Sequence, residues 1–416
     1  MKTCGLNNCS QLDKNSNNTS SDGISIISPP IFFHIDHSLI NSISTYSDHT
    51  VWITKDGKSH AIGDNRQYQI SGLLSKKVLR EDTEIIFKTN EGQPYKFISV
   101  VCGHWYTLYL VSNELSNSDF QLVLCYKYKT PNPLFLNIGN CIPQSLFGGE
   151  KNSAVIDTEG GIIIITESVF NSPLEKIETK FLPFDEKAVK LACCSQFIIS
   201  LSQNGRVYEC QITKNGPSEF SELSEFSDKT VIDISGTCDH CFVVLDDGSV
   251  FGRGSNWCCK LGLPPGTKPV SFFTKIESLK EHKIVSAFTG TDNSIFKTIG
   301  NKMIVCGYNF QGQLFISPQE TVFPPEKVDD IENFTFCVSS SSSIAFVDID
   351  PPPNISNKKI EAVQNELSEI ERLQKKLDLK EDEILKLKLE LKKSEIRIKE
   401  LEEENARLKQ KEEGNE

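Results

Sequence analysis

One phrase constrains this chain more than any other. A small or hydroxyl-bearing residue followed by an apolar run recurs along the first 350 residues. It stands at Thr50 ("HTVWIT"), Thr107 ("YTLYLV"), Ser153 ("NSAVID"), Ile198 ("FIISLS"), Cys241 ("HCFVVL"), Ser294 ("NSIFKT") and Ser343 ("SSIAFV"), at spacings of 43 to 57 residues. A period of that length marks a repeat architecture in which each unit buries its apolar face against its neighbours. In four copies a glycine falls seven residues after the anchor: Gly57, Gly160, Gly205 and Gly248, with Gly300 at six. Asp-Gly or Asn-Gly between short apolar runs predicts a β-hairpin, here with a primed turn, because such turns need positive φ. The chain is therefore expected to be all-β over this region.

A second glycine lies thirteen residues after the anchor in three copies: Gly63 ("GDNRQYQI"), Gly254 ("GSNWCCKL") and Gly307 ("GYNFQGQL"). Each opens Gly-x-Asn and leads to Gln or Lys, then Leu or Ile. A fixed offset suits a strand end where the backbone bends or passes close to another strand. These units resemble the repeats of the regulator of chromosome condensation family, whose pattern runs Gly-x-x-His-Ser, strand, turn glycine, strand, Gly-x-Asn-x-x-Gly-Gln-Leu-Gly. Gly103, Gly149 and Gly290 hold the first glycine, and His49 and His240 hold the histidine position. The seventh copy has Ser339–Ser343 there, and copies two to four lack the Gly-x-Asn tail. The resemblance covers roughly residues 1–350 and implies a seven-bladed β-propeller of four-stranded antiparallel blades. Hydrogen bonding between blades, rather than partner contact, is the expected role of Asp48, His49, Asp239 and His240.

The seventh copy should carry its tail near residue 356, but the chain turns into prolines first. The missing phrase stands at the other end, in "CGLNNCSQL", where Gly5 opens Gly-x-Asn. Gly5–Leu12 is thus expected to complete the last blade and close the ring, which pairs strand edges that would otherwise template aggregation. Asn15–Gly23 then reads as a polar surface loop.

Composition breaks at "DIDPPPN". Three consecutive prolines fit neither a central strand nor a helix interior, so residues 351–357 read as a stiff linker. Beyond it, 358–412 predicts a coiled-coil helix, and 413–416 a disordered tail. The seam consists of Ile370, Leu377, Ile384, Leu391, Ile398 and Asn405 at a, with Leu373, Leu387, Leu401 and Leu408 at d, interrupted by Lys380 and Ser394. Isoleucine at half of the a sites, leucine at most d sites and a single a-site asparagine favour a parallel two-stranded coil. The flanking pairs Lys376–Glu381, Glu383–Lys388, Arg397–Glu402 and Glu404–Lys409 attract, and only Glu390–Glu395 repels. A homodimer is expected, with a heterotypic partner helix as the rival.

The chain carries a net charge of −12. Residues 354–416 hold 15 Lys/Arg and 17 Asp/Glu, which leaves 29 Lys/Arg and 39 Asp/Glu upstream, a net −10. An acidic ring argues against nucleic acid as main partner, since counterion release needs clustered cations. Apolar runs such as Gly161–Thr166 are too short to cross a bilayer, so no membrane partner is expected. The N-terminus lacks a signal-peptide profile, which places the chain in the cytoplasm, or alternatively the nucleus. The 14 cysteines are scattered and read as apolar strand or surface residues, with no metal or cofactor site.

No catalytic constellation stands out. The expected function is a non-enzymatic protein-interaction scaffold, an acidic propeller oligomerised by its coil. The alternative, implied by the resemblance, is guanine-nucleotide exchange on a small Ran-like GTPase. That activity needs only tighter binding of the nucleotide-free state, not a catalytic triad.

Overall fold

A computed structural model describes residues 2–6, 26–32 and 39–347, less short intervals at 47, 72, 75–76, 114–115, 127–131, 137, 139–140, 167–178, 333–335 and 340–342. The chain divides into two compact units, Met1–Ser356 and Asn357–Glu416. The proline linker 351–357, the coiled-coil segment 358–412, the tail 413–416 and the loop Asn15–Gly23 lie outside the described residues. Among the described residues, helix is confined to single 3₁₀ turns.

The first unit is an all-β propeller. Each blade is an antiparallel sheet whose strands pair in chain order, as in Ile40–Tyr46, His49–Thr54, Ser59–Asp64 and Val78–Ile85 of the first. Six such blades have described side chains, where the repeat count leads one to expect seven. Their first strands are Ile40–Tyr46, Tyr95–Cys102, Pro143–Gly148, Ala188–Cys193, Val231–Thr237 and Ile284–Thr289. In the fourth blade the outer edge is made in two pieces, Gly216–Pro217 and Ser221–Glu222, both paired to Val207–Thr213.

Why these runs become inner strands follows from the stacking of blades. The second strands are buried along nearly their whole length: HTVWIT, SAVID and HCFVVL show no clean alternation. A strand covered on both faces by neighbouring sheets needs apolar residues at odd and even positions alike. The fourth strand Val78–Ile85, by contrast, is largely exposed. Accordingly the cores lie between blades. Val51 and Ile53 of the first pack with Val100, Tyr109 and Val111 of the second, and Phe242 and Val244 of the fifth pack with Phe296 and Ile304 of the sixth.

Four further strands pair in the order Ile26–Phe32, Lys2–Leu6, Ser343–Val347, Phe336–Ser339. Gly5 lies opposite Ser343, the first residue of its partner strand, as Gly63 lies opposite His49, Gly254 opposite His240 and Gly307 opposite Asn293. Of the segment Gly5–Leu12, Gly5 and Leu6 lie in the strand Lys2–Leu6, and residues 7–12 fall outside the described residues. The N-terminus supplies a second strand as well, Ile26–Phe32, which the sequence reading did not anticipate because it contains Pro29 and Pro30. Those prolines are tolerated because this strand is the edge of its sheet and its register shifts there. Phe336–Ser339 lies against both Ile284–Thr289 and Ile40–Tyr46, the first strands of the sixth and first blades.

The hairpin turns need a correction. Thr54 N–H donates to the Lys58 carbonyl and Gly57 N–H to the Thr54 carbonyl, and the same pattern recurs at Asp157–Gly161, Ser202–Arg206 and Leu245–Ser249. These are three-residue loops, a type I turn followed by a left-handed residue, not two-residue primed turns. Gly57, Gly160, Gly205 and Gly248 fill the left-handed position, with φ of +82°, +85°, +78° and +86°. In the sixth blade Asn301 (φ +55°), not Gly300, takes it.

Candidate interaction face

The first-to-second-strand loops and the Gly-x-Asn loops come together on one face, since the third strand ends where the second begins. Gly63, Gly254 and Gly307 make that contact possible. Their φ values are +108°, +114° and +108°, and a Cβ on each would sit 2.2, 2.0 and 2.6 Å from the carbonyl oxygens of Asp48, Asp239 and Asp292. The next backbone N–H in each case donates to that same carbonyl, from Asp64, Ser255 and Tyr308. Gly149 serves a different approach, because its Cβ would lie 1.8 Å from the Cys193 carbonyl oxygen in the next blade. At Gly103 a Cβ would strike the Tyr106 ring, whose hydroxyl donates to the Gly149 carbonyl at 2.9 Å. Gly290 donates its N–H to the Asn293 carbonyl and closes the sixth loop.

The asparagine of Gly-x-Asn has a definite task. Asn65, Asn256 and Asn309 each accept, through Oδ1, the N–H of the motif's final apolar residue, Ile70, Leu261 and Leu314, at 3.1, 3.1 and 2.8 Å. Their Nδ2 groups donate to the Ser71, Leu263 and Ser317 carbonyls. The loop is thereby folded back so that the apolar residue is buried. Gln69 and Gln313 complete the clasp by accepting the N–H groups of Gln67 and Gln311. Lysine cannot accept, so Lys260 of the fifth blade turns elsewhere. Its buried ammonium donates to Asp239 Oδ1 (2.7 Å) and the Thr291 carbonyl (2.9 Å), with Asp292 Oδ1 at 3.4 Å. One substitution inside a repeat thus becomes a bridge between two blades.

The expected inter-blade role of the histidines is seen directly. His49 Nε2 lies 3.1 Å from Thr107 Oγ1 of the second blade, and His240 Nε2 lies 3.0 Å from Ser294 Oγ of the sixth. Burial pushes both imidazoles down to about 4, against the pull of Asp64 and Asp239 respectively. Burial alone would raise the Asp239 carboxyl, but the neighbouring His240 imidazole, at 3.8 Å, and the Lys260 ammonium, which donates to it at 2.7 Å, hold it below its ordinary range. The Asp292 carboxyl is raised, chiefly by burial. The His104 ring lies 3.5 Å from Glu150 Oε1 and Ser195 Oγ donates to Glu150 Oε2 at 2.8 Å; with Cys238 and Lys151 they bring that carboxyl down to about 2. Toward the axis, Tyr46 stacks on His104 at 5.8 Å, and its hydroxyl lies 3.0 Å from Thr291 Oγ1. The first and sixth blades therefore touch across the interval occupied by the terminal strands.

What this face offers to solvent is aromatic and acidic. Trp105, in the second blade's loop, is 43 % exposed, and Trp257 and Phe310, each directly after a motif asparagine, are 55 % and 61 % exposed. Asp239 is half exposed beside them. Sequence reasoning missed Lys260, Glu150, Tyr46 and Phe310 altogether. The one available signal was the Lys in place of Gln. Among the described residues no group of three or more His, Cys, Asp or Glu could hold a metal ion, and no helix is long and apolar enough to cross a membrane.

The geometry matches known structures. Human WBSCR16 superposes with a TM-score of 0.65 at 13 % identity, over 83 % of this chain and 98 % of that one. Prp20p from Saccharomyces cerevisiae, a protein whose binding to Gsp1p and histones has been described, superposes at 0.64 and 11 % identity, over 89 % and 94 %. The fold is an RCC1-like β-propeller. In sequence, the chain is 36 % identical over 106 residues to the bovine (Bos taurus) secretion-regulating guanine nucleotide exchange factor. That match covers 25 % of this chain, and the chain spans only 23 % of the relative's length. No family model matches.

Proposed function

We propose that this protein is a non-enzymatic protein-interaction scaffold. Its working surface is the propeller face that carries Trp105, Trp257 and Phe310. The carrying observation is their exposure: three large aromatic side chains on loops of one face, set among carboxylates, are what a protein interface uses as anchors. Counting the sheet made by both ends of the described chain as a further blade gives a closed seven-bladed ring. The segment 358–412 then forms a parallel homodimeric coil, which presents two rings and raises avidity through effective concentration. Cytoplasm is the expected location, with the nucleus as the alternative.

The test is site-specific photo-crosslinking of the full chain in cells. A photoreactive residue at position 105 should capture a protein partner, whereas one at Leu39, exposed on the opposite face, should not. Equal capture from both positions, or none, would remove this reading. A second reading, nucleotide exchange on a small Ran-like GTPase, is favoured by the local likeness to the bovine exchange factor. It predicts that a GTPase recovered at position 105 releases a fluorescent guanine nucleotide faster when the protein is added.

A further inference from the structure

On the working face, three aromatic rings form a stack that spans two blades. Trp257 lies against Tyr308 with centroids 5.8 Å apart and planes 27° apart, and Tyr308 lies against Phe310 at 6.5 Å and 24°. The outer two rings are more than half exposed. The stack is held from below. The 3₁₀ turn Trp257–Cys259 packs on the strands Lys302–Asn309 and Gln319–Glu332, and Tyr308 N–H donates to the Asp292 carbonyl at 2.8 Å. Carboxylates border it: Glu320 stands between Gln319 and Thr321, the strand partners of Asn309 and Tyr308, Asp292 supplies the carbonyl that Tyr308 bonds, and Asp239 lies across Lys260 from Asp292. Lys260 is buried, so the solvent-facing charge here is negative. Exposed rings beside carboxylates, on a chain of net charge −12, complement a cation whose charge can rest on a π face.

The same fold already holds a guanidinium in this manner. Arg253 lies 4.1 Å from the Phe197 ring centroid and 4.9 Å from that of Phe273, with its Nη2 paired to Glu209. That internal site shows which chemistry ring-plus-carboxylate geometry accepts here: a planar cation that stacks and hydrogen-bonds at its edge.

We propose that the Trp257–Tyr308–Phe310 stack is the docking site for an arginine-bearing extended segment of a partner protein, with Asp292 and Glu320 pairing the guanidinium edge. This names the partner chemistry of the protein-binding reading above and rests on it. The test titrates the full chain with acetyl-(Gly-Ser-Arg)₄-amide, with the same peptide carrying neutral citrulline for arginine, and with a glutamate version, followed by isothermal titration calorimetry. The arginine peptide should bind saturably and weaken with added salt. Citrulline and Trp257→Ala should each lose at least about tenfold, and Glu320→Gln about two- to fivefold. An unchanged melting transition shows that each variant is folded. Absence of saturable binding, equal binding of the citrulline or glutamate peptide, or insensitivity to Trp257→Ala would overturn the proposal. So would a drop in the sedimentation coefficient of the full chain caused by Trp257→Ala, which would make a second copy the occupant. Partner adducts at position 105 without peptide binding would sink this inference alone, whereas peptide binding without adducts would sink only the broader reading.

Discussion

Gly254 and Asp239 approach so closely that a Cβ on the glycine would sit 2.0 Å from the Asp239 carbonyl oxygen, and the glycine's φ of +114° is itself foreign to other residues. Both constraints act on one substitution. Gly254→Ala should cost about 4 kcal/mol or more, since a left-handed alanine alone costs about 1–3 kcal/mol. Gly216→Ala is the control, with a φ of +103° and no atom within 4 Å of the added methyl. It should cost only the conformational part. Comparable denaturation midpoints for the two variants would refute the close-approach account.

Acid should loosen the ring earlier than carboxylate chemistry alone would dictate. His49 and His240 are neutral in the fold, with pKa values brought from 6.5 to about 4 by burial. Between pH 6.5 and 4 the unfolded chain therefore binds more protons, and stability falls as pH falls through that window. It is fully present above about pH 6.5. Glu150, down at about 2, adds a further loss between pH 4.5 and 2. Melting temperature recorded from pH 7.5 to 4.5 should decline, and His240→Gln should flatten the decline relative to its own value at pH 7.5. A flat profile for the unaltered protein would contradict buried neutral histidines.

Lys260 offers a substitution that the repeat itself suggests. Lys260→Gln should restore the clasp made by Gln69 and Gln313 and cost about 1 kcal/mol, because it still gives up the bridge between blades. Lys260→Met should cost about 2–3 kcal/mol by leaving Asp239 and Asp292 without a cation, a figure held down because Asp239 is 48 % exposed. Chemical denaturation of both variants ranks them. If methionine proved the milder change, the ammonium bridge would not be a stabilising contact.

The ends of the ring make the largest prediction. Deleting residues 1–7 removes the strand that pairs with both Ser343–Val347 and Ile26–Phe32 and exposes two strand edges. The melting temperature should fall by about 10 °C or more, with concentration-dependent aggregation. An unaltered transition would show that this pairing contributes nothing to the ring.

In sedimentation equilibrium the full chain should have the mass of two copies and the chain without residues 357–416 the mass of one, while the circular dichroism of the ring persists. A full chain with the mass of a single copy would exclude a coil-mediated dimer.

What could be read from sequence, and what could not, divides along a physical line. Gly63, Gly254 and Gly307 were legible because backbone geometry admits only glycine there, so spacing preserved them. The buried second strands were legible as unbroken apolar runs. The turn type was not, because an Asp-Gly pair serves a three-residue loop as readily as a primed one, and only the carbonyl partners distinguish them. The face itself was hidden for another reason. Lys260 meets Asp292, and Trp257 meets Tyr308, only because the fifth and sixth blades stand side by side. No periodicity within one repeat reports on such a meeting. Ile26–Phe32 escaped notice because its prolines argue against a strand, an argument that fails at a sheet edge.

The pairing of Lys2–Leu6 with Ser343–Val347 also sets a schedule for biosynthesis. A ribosome adding about 5–20 residues per second needs on the order of 20–70 seconds to make the later strand after the earlier one. Throughout that interval the early segment has no lasting mate on that side, so the nascent protein must keep it waiting until the six blades between the two strands have been made.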